Sequence, residues 1–275
     1  MNRLDQKKRT QVVAALVEGN SIRATVRMTG VAKNTIAKLL VELGAVCSEY
    51  MNRTLVNLQC KRVQMDEIWS FIAAKQDNVT PEIRERNEHA GDVWTWVAMD
   101  ADTKLICSWL VGGRGTWEAI QLVNDLASRM SNRIQLTTDG HRPYLYAVSD
   151  AFAGDIDYGM LIKYYGADPQ TEKRYSPAKC IGCEKKSVVG NPDPKHISTS
   201  YIERQNLTMR MQMRRFTRLT NAFSKKIESH VASIAIHYMH YNFVRIHQTL
   251  RVTPAMAAGI SDHVRTVSEL ITLLG

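Results

Sequence analysis

Three carboxylates stand where a carboxylate is costly unless it is used. Asp66 falls inside the apolar run Val63–Ile72, Asp139 closes the run Ile134–Thr138, and Glu203 opens a basic helical stretch beginning Tyr201-Ile202. Carboxylates are hard oxygen donors, and a small set that leaves coordination positions open suits Mg²⁺ or Mn²⁺. Two such ions ~3.5–4 Å apart activate an attacking oxygen and stabilise the leaving oxygen of a phosphodiester, so no protein nucleophile is needed. Each residue alone has an ordinary reading. Asp139 can form a turn with Gly140, Glu203 can favour a helix N-terminus through the dipole, and Asp66 can pair with a lysine. The three together, in this order, point to metal-dependent phosphoryl transfer.

The elements that must position them are legible as patterns. Residues 63–72, 92–99 and 105–111 read as strands, the last two joined by the turn Asp100-Ala101-Asp102-Thr103. Residues 116–129 carry apolar positions at Trp117, Ile120, Leu122, Val123 and Leu126, a helical spacing with Thr116 as cap. A buried strand is predicted at 134–138, a helix at 144–152 after Pro143, a strand at 160–165 and a long helix at 227–244. Three strands followed by alternating helices and strands imply a mixed sheet with flanking helices, an α/β fold of the ribonuclease-H-like order. In that order the first and fourth strands are neighbours and a later helix crosses their end, so Asp66, Asp139 and Glu203 can converge.

The first sixty residues read differently. Val12, Val13, Leu16 and Val17 mark a helix over 4–18, Gly19-Asn20-Ser21 ends it and caps a second over 22–29, and Gly30 precedes a third over 33–43, stopped by Gly44. Three short helices with a glycine in the turn predict a helix-turn-helix. With Ile36, Leu39 and Leu40 facing inward, Lys33, Asn34, Thr35 and Lys38 point outward, where they can touch bases or phosphates in a major groove.

Charge supports a polyanionic partner. The 275-residue chain has net charge +9, but residues 1–62 hold 11 Lys/Arg against 4 Asp/Glu, 63–170 hold 9 against 16, and 171–251 hold 15 against 5. Two basic regions flank an acidic centre, an arrangement suited to DNA outside and cations inside. No apolar run approaches the ~18 residues of a membrane helix, the start lacks the apolar core of a secretory signal, and five cysteines make no disulfide scaffold. A reducing cytoplasm is the expected location.

At these residues the chain resembles bacterial transposases of the insertion-sequence-one type, within the DDE transposase and retroviral-integrase superfamily. The resemblance spans nearly the whole chain. It rests on Asp66-Glu67-Ile68-Trp69-Ser70, on Thr138-Asp139-Gly140-His141-Arg142-Pro143-Tyr144, and above all on Ile202-Glu203-Arg204-Gln205-Asn206-Leu207-Thr208-Met209-Arg210 with its continuation through Arg214-Arg215-Phe216 to Lys226. It implies Asp66, Asp139 and Glu203 as catalytic metal ligands, with two Mg²⁺ or Mn²⁺ ions. It also implies Arg210 as the basic residue seven positions after the glutamate, on the same helix face. Arg210, Arg214 and Arg215 are then expected to contact DNA. The implied activity is cleavage at mobile-element ends and strand transfer into target DNA, by a homo-oligomer. Members of this type often carry a cysteine-paired zinc finger before the helix-turn-helix. Here the first helix follows the N-terminus directly, so a truncated or regulatory copy is an alternative, as is a nuclease that does not join.

The expected organisation is a helix-turn-helix domain over 1–46, a linker over 47–62, a catalytic domain over 63–251 with a basic loop insertion at 168–197, and a tail over 252–275. Cys180-Ile181-Gly182-Cys183 has zinc-ligand spacing, but no second pair matches it, and a surface loop turn is the favoured reading. His141, two residues after Asp139, is expected to bond backbone. The methionines of Met209–Met213 are expected to fill core with the arginines outside.

Overall fold

A computed structural model describes residues 4–166, 180–217 and 221–275. Of the expected basic loop insertion at 168–197, residues 168–179, with Lys173, Arg174 and Lys179, lie outside the described residues. A six-stranded mixed sheet forms the centre, built from β1 (Arg62–Ile72), β2 (Gly91–Asp100), β3 (Ile106–Gly112), β4 (Gln135–Asp139), β5 (Asp157–Tyr165) and β6 (Cys180–Val189). Its order is β3-β2-β1-β4-β5-β6. β1 to β3 form an antiparallel meander, β4 and β5 run parallel to β1, and β6 returns antiparallel along β5. The expected adjacency of first and fourth strands is present, and the arrangement is consistent with a ribonuclease-H-like fold.

Helices α1 (Gln6–Val17), α2 (Ile22–Thr29) and α3 (Lys33–Thr54) precede the sheet. Asp5 caps α1 by accepting from Lys8 N at 2.7 Å, and Ser21 caps α2 through Ala24 N at 3.1 Å. Gly30, at φ +71°, closes α2 in the left-handed conformation that glycine adopts without strain. The expected stop at Gly44 is not a stop. α3 continues for 22 residues through it, because Gly44 sits where α3 crosses α8 (Ile227–Phe243): a Cβ there would lie 2.5 Å from the Cα and Cβ of Ala232. The residue that reads locally as a helix breaker is the gap that lets two helix backbones meet.

Residues 47–54, expected within a linker, are therefore helix, and Leu55, Leu58 and Cys60 after them are buried. One hydrophobic cluster runs from Val12 in α1 through Ile36 and Leu43 in α3 and Met65 and Trp96 in the sheet to Ile234 in α8 and Ile271 in α10 (Val267–Thr272). The tail residues thus belong to the fold. α10 lies beside α1, with Gln6 donating to Ser268 at 3.1 Å, and α9 (Pro254–Ala257) lies beside α8.

α5 (Thr116–Arg129) and α6 (Pro143–Phe152) cover one face of the sheet. The cap of α5 is Gly115, one residue before the expected Thr116, and Glu118 accepts from the backbone amides of Gly113 and Gly115 at 3.0 and 3.1 Å. On the other face, α7 (Ser200–Gln212) docks through Gln64, whose Oε1 accepts from the backbone amides of Tyr201 and Ile202 at 3.0 Å each. α4 (Pro81–Arg86), α9, α10 and β6 carry no strong periodicity and were not among the expected elements. The Cys180–Cys183 segment is strand rather than loop turn.

Candidate metal centre

β4 pairs with β1 only over Arg62–Gln64 and ends at Asp139. Beyond that point the flank of β1 on the β4 side is open, and a cleft of about 760 Å³ forms there. Gln64 faces Thr137 in the parallel register, so Asp66 and Asp139, each two residues further on, share a face of the sheet. That is the face α7 crosses, and Asn206 of α7 donates its amide to Asp66 Oδ2 at 2.8 Å. Asp66 Oδ1 accepts from the Glu67 backbone amide at 2.9 Å, and Asp139 Oδ1 from that of His141 at 2.9 Å.

Strand alternation sends Glu67 to the opposite face, beside Tyr144 of α6. It still reaches the cleft. Asp66, Glu67 and Asp139 each offer a carboxylate oxygen within 4.8 Å of the others, and no other group of three or more potential metal ligands occurs among the described residues. Glu67 Oε2 is held by Arg114 Nη2 at 3.2 Å, and that guanidinium lies over Trp94 at 4.4 Å. The Tyr144 hydroxyl stands near enough to favour ionised Glu67, but not in hydrogen-bonding geometry, and Glu67 Oε1 has no described partner.

Electrostatics follow from this crowding. Burial, then the neighbouring charges of Glu67 and Asp139, push the Asp66 carboxyl up to about 7. Burial likewise raises Glu67 and Tyr144, and lowers His141. Glu67 Oε1, His141 Nε2 and Asn206 Oδ1 are buried without a hydrogen-bond partner among the described residues. A buried carboxylate oxygen left unpaired is costly. An all-carboxylate donor set with spare oxygens fits a hard divalent cation.

Glu203 lines the same cleft but is not in the close trio. Its carboxylate is taken by Lys163 of β5 and by the Thr199 hydroxyl. Arg210 lines the cleft too, from the α7 face it shares with Glu203. Arg214 is exposed on the short turn Arg214–Phe216, whereas Arg215 faces inward rather than outward as expected. Its Nη1 donates to Ser224 Oγ at 2.9 Å, Ser224 Oγ meets His230 Nδ1 at 2.8 Å, and His230 Nε2 meets Ser70 Oγ at 3.2 Å. Burial pushes Arg215 down to about 10 and His230 down to about 3, which keeps this histidine neutral. Met209 and Met213 fill core, but Met211 is exposed.

Lys33, Asn34, Thr35 and Lys38 are exposed on the first turns of α3, while Ile36, Leu39 and Leu40 are buried. Cys180 and Cys183 are exposed on β6, and His196 contacts Arg62 and Asp193. Reasoning from the sequence overlooked Glu67. The signal was present, since an acidic residue next to Asp66 in an apolar strand is as costly as Asp66 itself. Period-2 alternation alone puts it on the opposite face of β1 from Asp66, away from the other carboxylates.

No protein-family model matches the chain, and no curated protein sequence matches it. Among solved structures, a piggyBac transposase synaptic complex with hairpin DNA is similar over 99% of this chain and 70% of that one, with a TM-score of 0.46 and 9% identity. A Mos1 transposase paired-end complex with the left transposon end is similar over 56% of this chain and 58% of that one, with a TM-score of 0.24 and 12% identity. The Mos1 strand transfer complex is similar over 56% and 57%, with a TM-score of 0.23 and 12% identity. No helix among the described residues is long and apolar enough to cross a membrane.

Proposed function

We propose that this protein is a DDE-type DNA transposase, cutting at the ends of a mobile element and joining them to target DNA. The observation that carries this reading is the acidic cleft itself. Two aspartates from neighbouring strands meet at its floor, and a glutamate and an arginine from one helix face line its wall. Asp66, Asp139 and Glu203 hold Mg²⁺ or Mn²⁺ in this reading. Bound there, the ions supply an activated attacking oxygen and charge stabilisation at the leaving oxygen.

The chain's own groups do the rest. Asn206 orients Asp66, and the His141 amide orients Asp139. Arg210 offers a guanidinium to a DNA phosphate beside the carboxylates. Release of Glu203 from Lys163 frees both a ligand oxygen and an ammonium that can meet a second phosphate. Lys33, Asn34, Thr35 and Lys38 lie in a major groove, with Arg214 on the backbone. Positioning and charge stabilisation then carry catalysis without a covalent protein intermediate.

The proposed assembly is an N-terminal helix-turn-helix and a ribonuclease-H-like domain that act on paired ends, as a homo-oligomer. The test is strand transfer on labelled element-end DNA with and without Mg²⁺ or Mn²⁺. Nicking without joined product would replace this reading with a nuclease. Binding without either would replace it with a regulatory copy.

A further inference from the structure

Glu67 belongs to no part of that reaction scheme, yet it is the most deeply enclosed acid of the cleft. Its side chain is 0% exposed, while the Arg114 that holds it is 41% exposed. A buried carboxylate whose one partner takes a single oxygen keeps a second oxygen in need of a cation or donor. Glu67 Oε1 is that oxygen. Independently, Asn206 is 9% exposed and gives its amide nitrogen to Asp66, and its Oδ1 has no described donor. Two unused, buried oxygens therefore border Asp66, one from each face of the sheet.

We infer that Asp66, Glu67 and Asp139 form a preassembled site for one divalent cation, with Glu67 a direct ligand and Glu203 not needed for its binding. This deepens the proposed function and rests on it. Glu203 stands apart for a physical reason: Lys163 and Thr199 both hold its Oε1 on the half-exposed wall of the cleft, outside the close trio, so that oxygen joins only when those contacts open. Arg114 sets Glu67 in place. Its guanidinium lies over the Trp94 ring, and its backbone belongs to the short turn before the α5 cap. It takes Oε2 and leaves Oε1 to the ion. The two carboxylates of the Asp66-Glu67 pair thus approach one ion from opposite faces of β1, at the place where β4 no longer covers it.

The test is Mn²⁺ binding to the full chain without DNA, followed by calorimetry and by the electron paramagnetic resonance signal of free Mn²⁺. Glu67→Gln is expected to weaken the tightest Mn²⁺ site by at least about tenfold, and Glu203→Gln is expected to leave it within about threefold, under half a tenfold step. Glu67→Asp retains the charge and the Arg114 partner but retracts the oxygens. It gives the same loss as Glu67→Gln while unfolding at the wild-type temperature, which separates ligation from folding. Wild-type affinity in both Glu67 variants would overturn the inference and leave Oε1 to the Tyr144 hydroxyl. Equal losses in Glu203→Gln and Glu67→Gln would overturn it too. Asp66→Asn is the separate control: if it also binds Mn²⁺ normally, the proposed function itself fails at its metal site.

Discussion

The contact between α3 and α8 and the acidic cleft are both places where distant parts of the chain meet, and they differ in completeness. At the first, Gly44 and Ala232 let two backbones touch with apolar neighbours all round. Nothing further is required there. At the second, three carboxylates share one small volume, and several buried polar atoms lack a described partner. The first region is finished by folding. The second keeps buried polar atoms that folding leaves without a described partner, and that difference is what makes it the candidate site.

The largest expected losses lie along α8, first in its buried polar network and then at its contact with α3. Replacing His230 by Ala strips the partner from Ser70 and Ser224 and leaves half-buried Arg215 with less support. A loss of about 3 kcal/mol is expected, from a cavity and unsatisfied polar groups, measured by urea unfolding. Gly44→Ala should cost about 2 kcal/mol, although alanine is the better helix former by about 1 kcal/mol. Adding Ala232→Gly should return part of that loss. A stabilised Gly44→Ala would show that the helices are not in contact.

At the unfinished side the sign reverses. Asp66 is pushed up to about 7 in the fold, against an ordinary aspartate range near ~3.9. Between those values the folded chain holds a proton that the unfolded chain has released. Stability from this group is therefore full below the ordinary range, falls as pH rises towards about 7, and stays low above it. Asp66→Asn should accordingly stabilise the metal-free protein at pH 8 by about 1–2 kcal/mol, less than the full pKa displacement implies, because other groups relax. The gain should vanish near pH 4. Mn²⁺ should raise the wild-type Tm at pH 8 more than at pH 5. The smallest expected effect is on α3, the proposed recognition helix. Lys38→Ala should reduce the slope of log K against log salt by roughly 1, with little change in folding.

Much of this arrangement was readable from residues alone. The caps at Ser21 and Gly30, the strand holding Asp66, the β4 terminus at Asp139 and the α5 span all follow from local pattern and turn chemistry. What escaped depends on contacts far apart in sequence. Gly44 reads as a stop because its reason for being glycine is Ala232, almost two hundred positions away. Arg215 reads as an outward base because Ser224 and His230, which draw it in, come later in the chain. Glu67 reads as a bystander because alternation places it on the far face, and only the early end of β4 opens a way round. β6 escaped because most of it is exposed and carries no alternation of apolar residues.

Metal-dependent joining of DNA by this protein is tested most directly by strand transfer with the purified chain. Labelled element-end DNA and a target duplex are incubated with Mg²⁺ or Mn²⁺, beside the Asp139→Asn variant. Joined product that requires both the metal and Asp139 is the predicted result. Joined product that persists with Asp139→Asn, or its absence from the wild-type protein under every metal condition, would contradict the account.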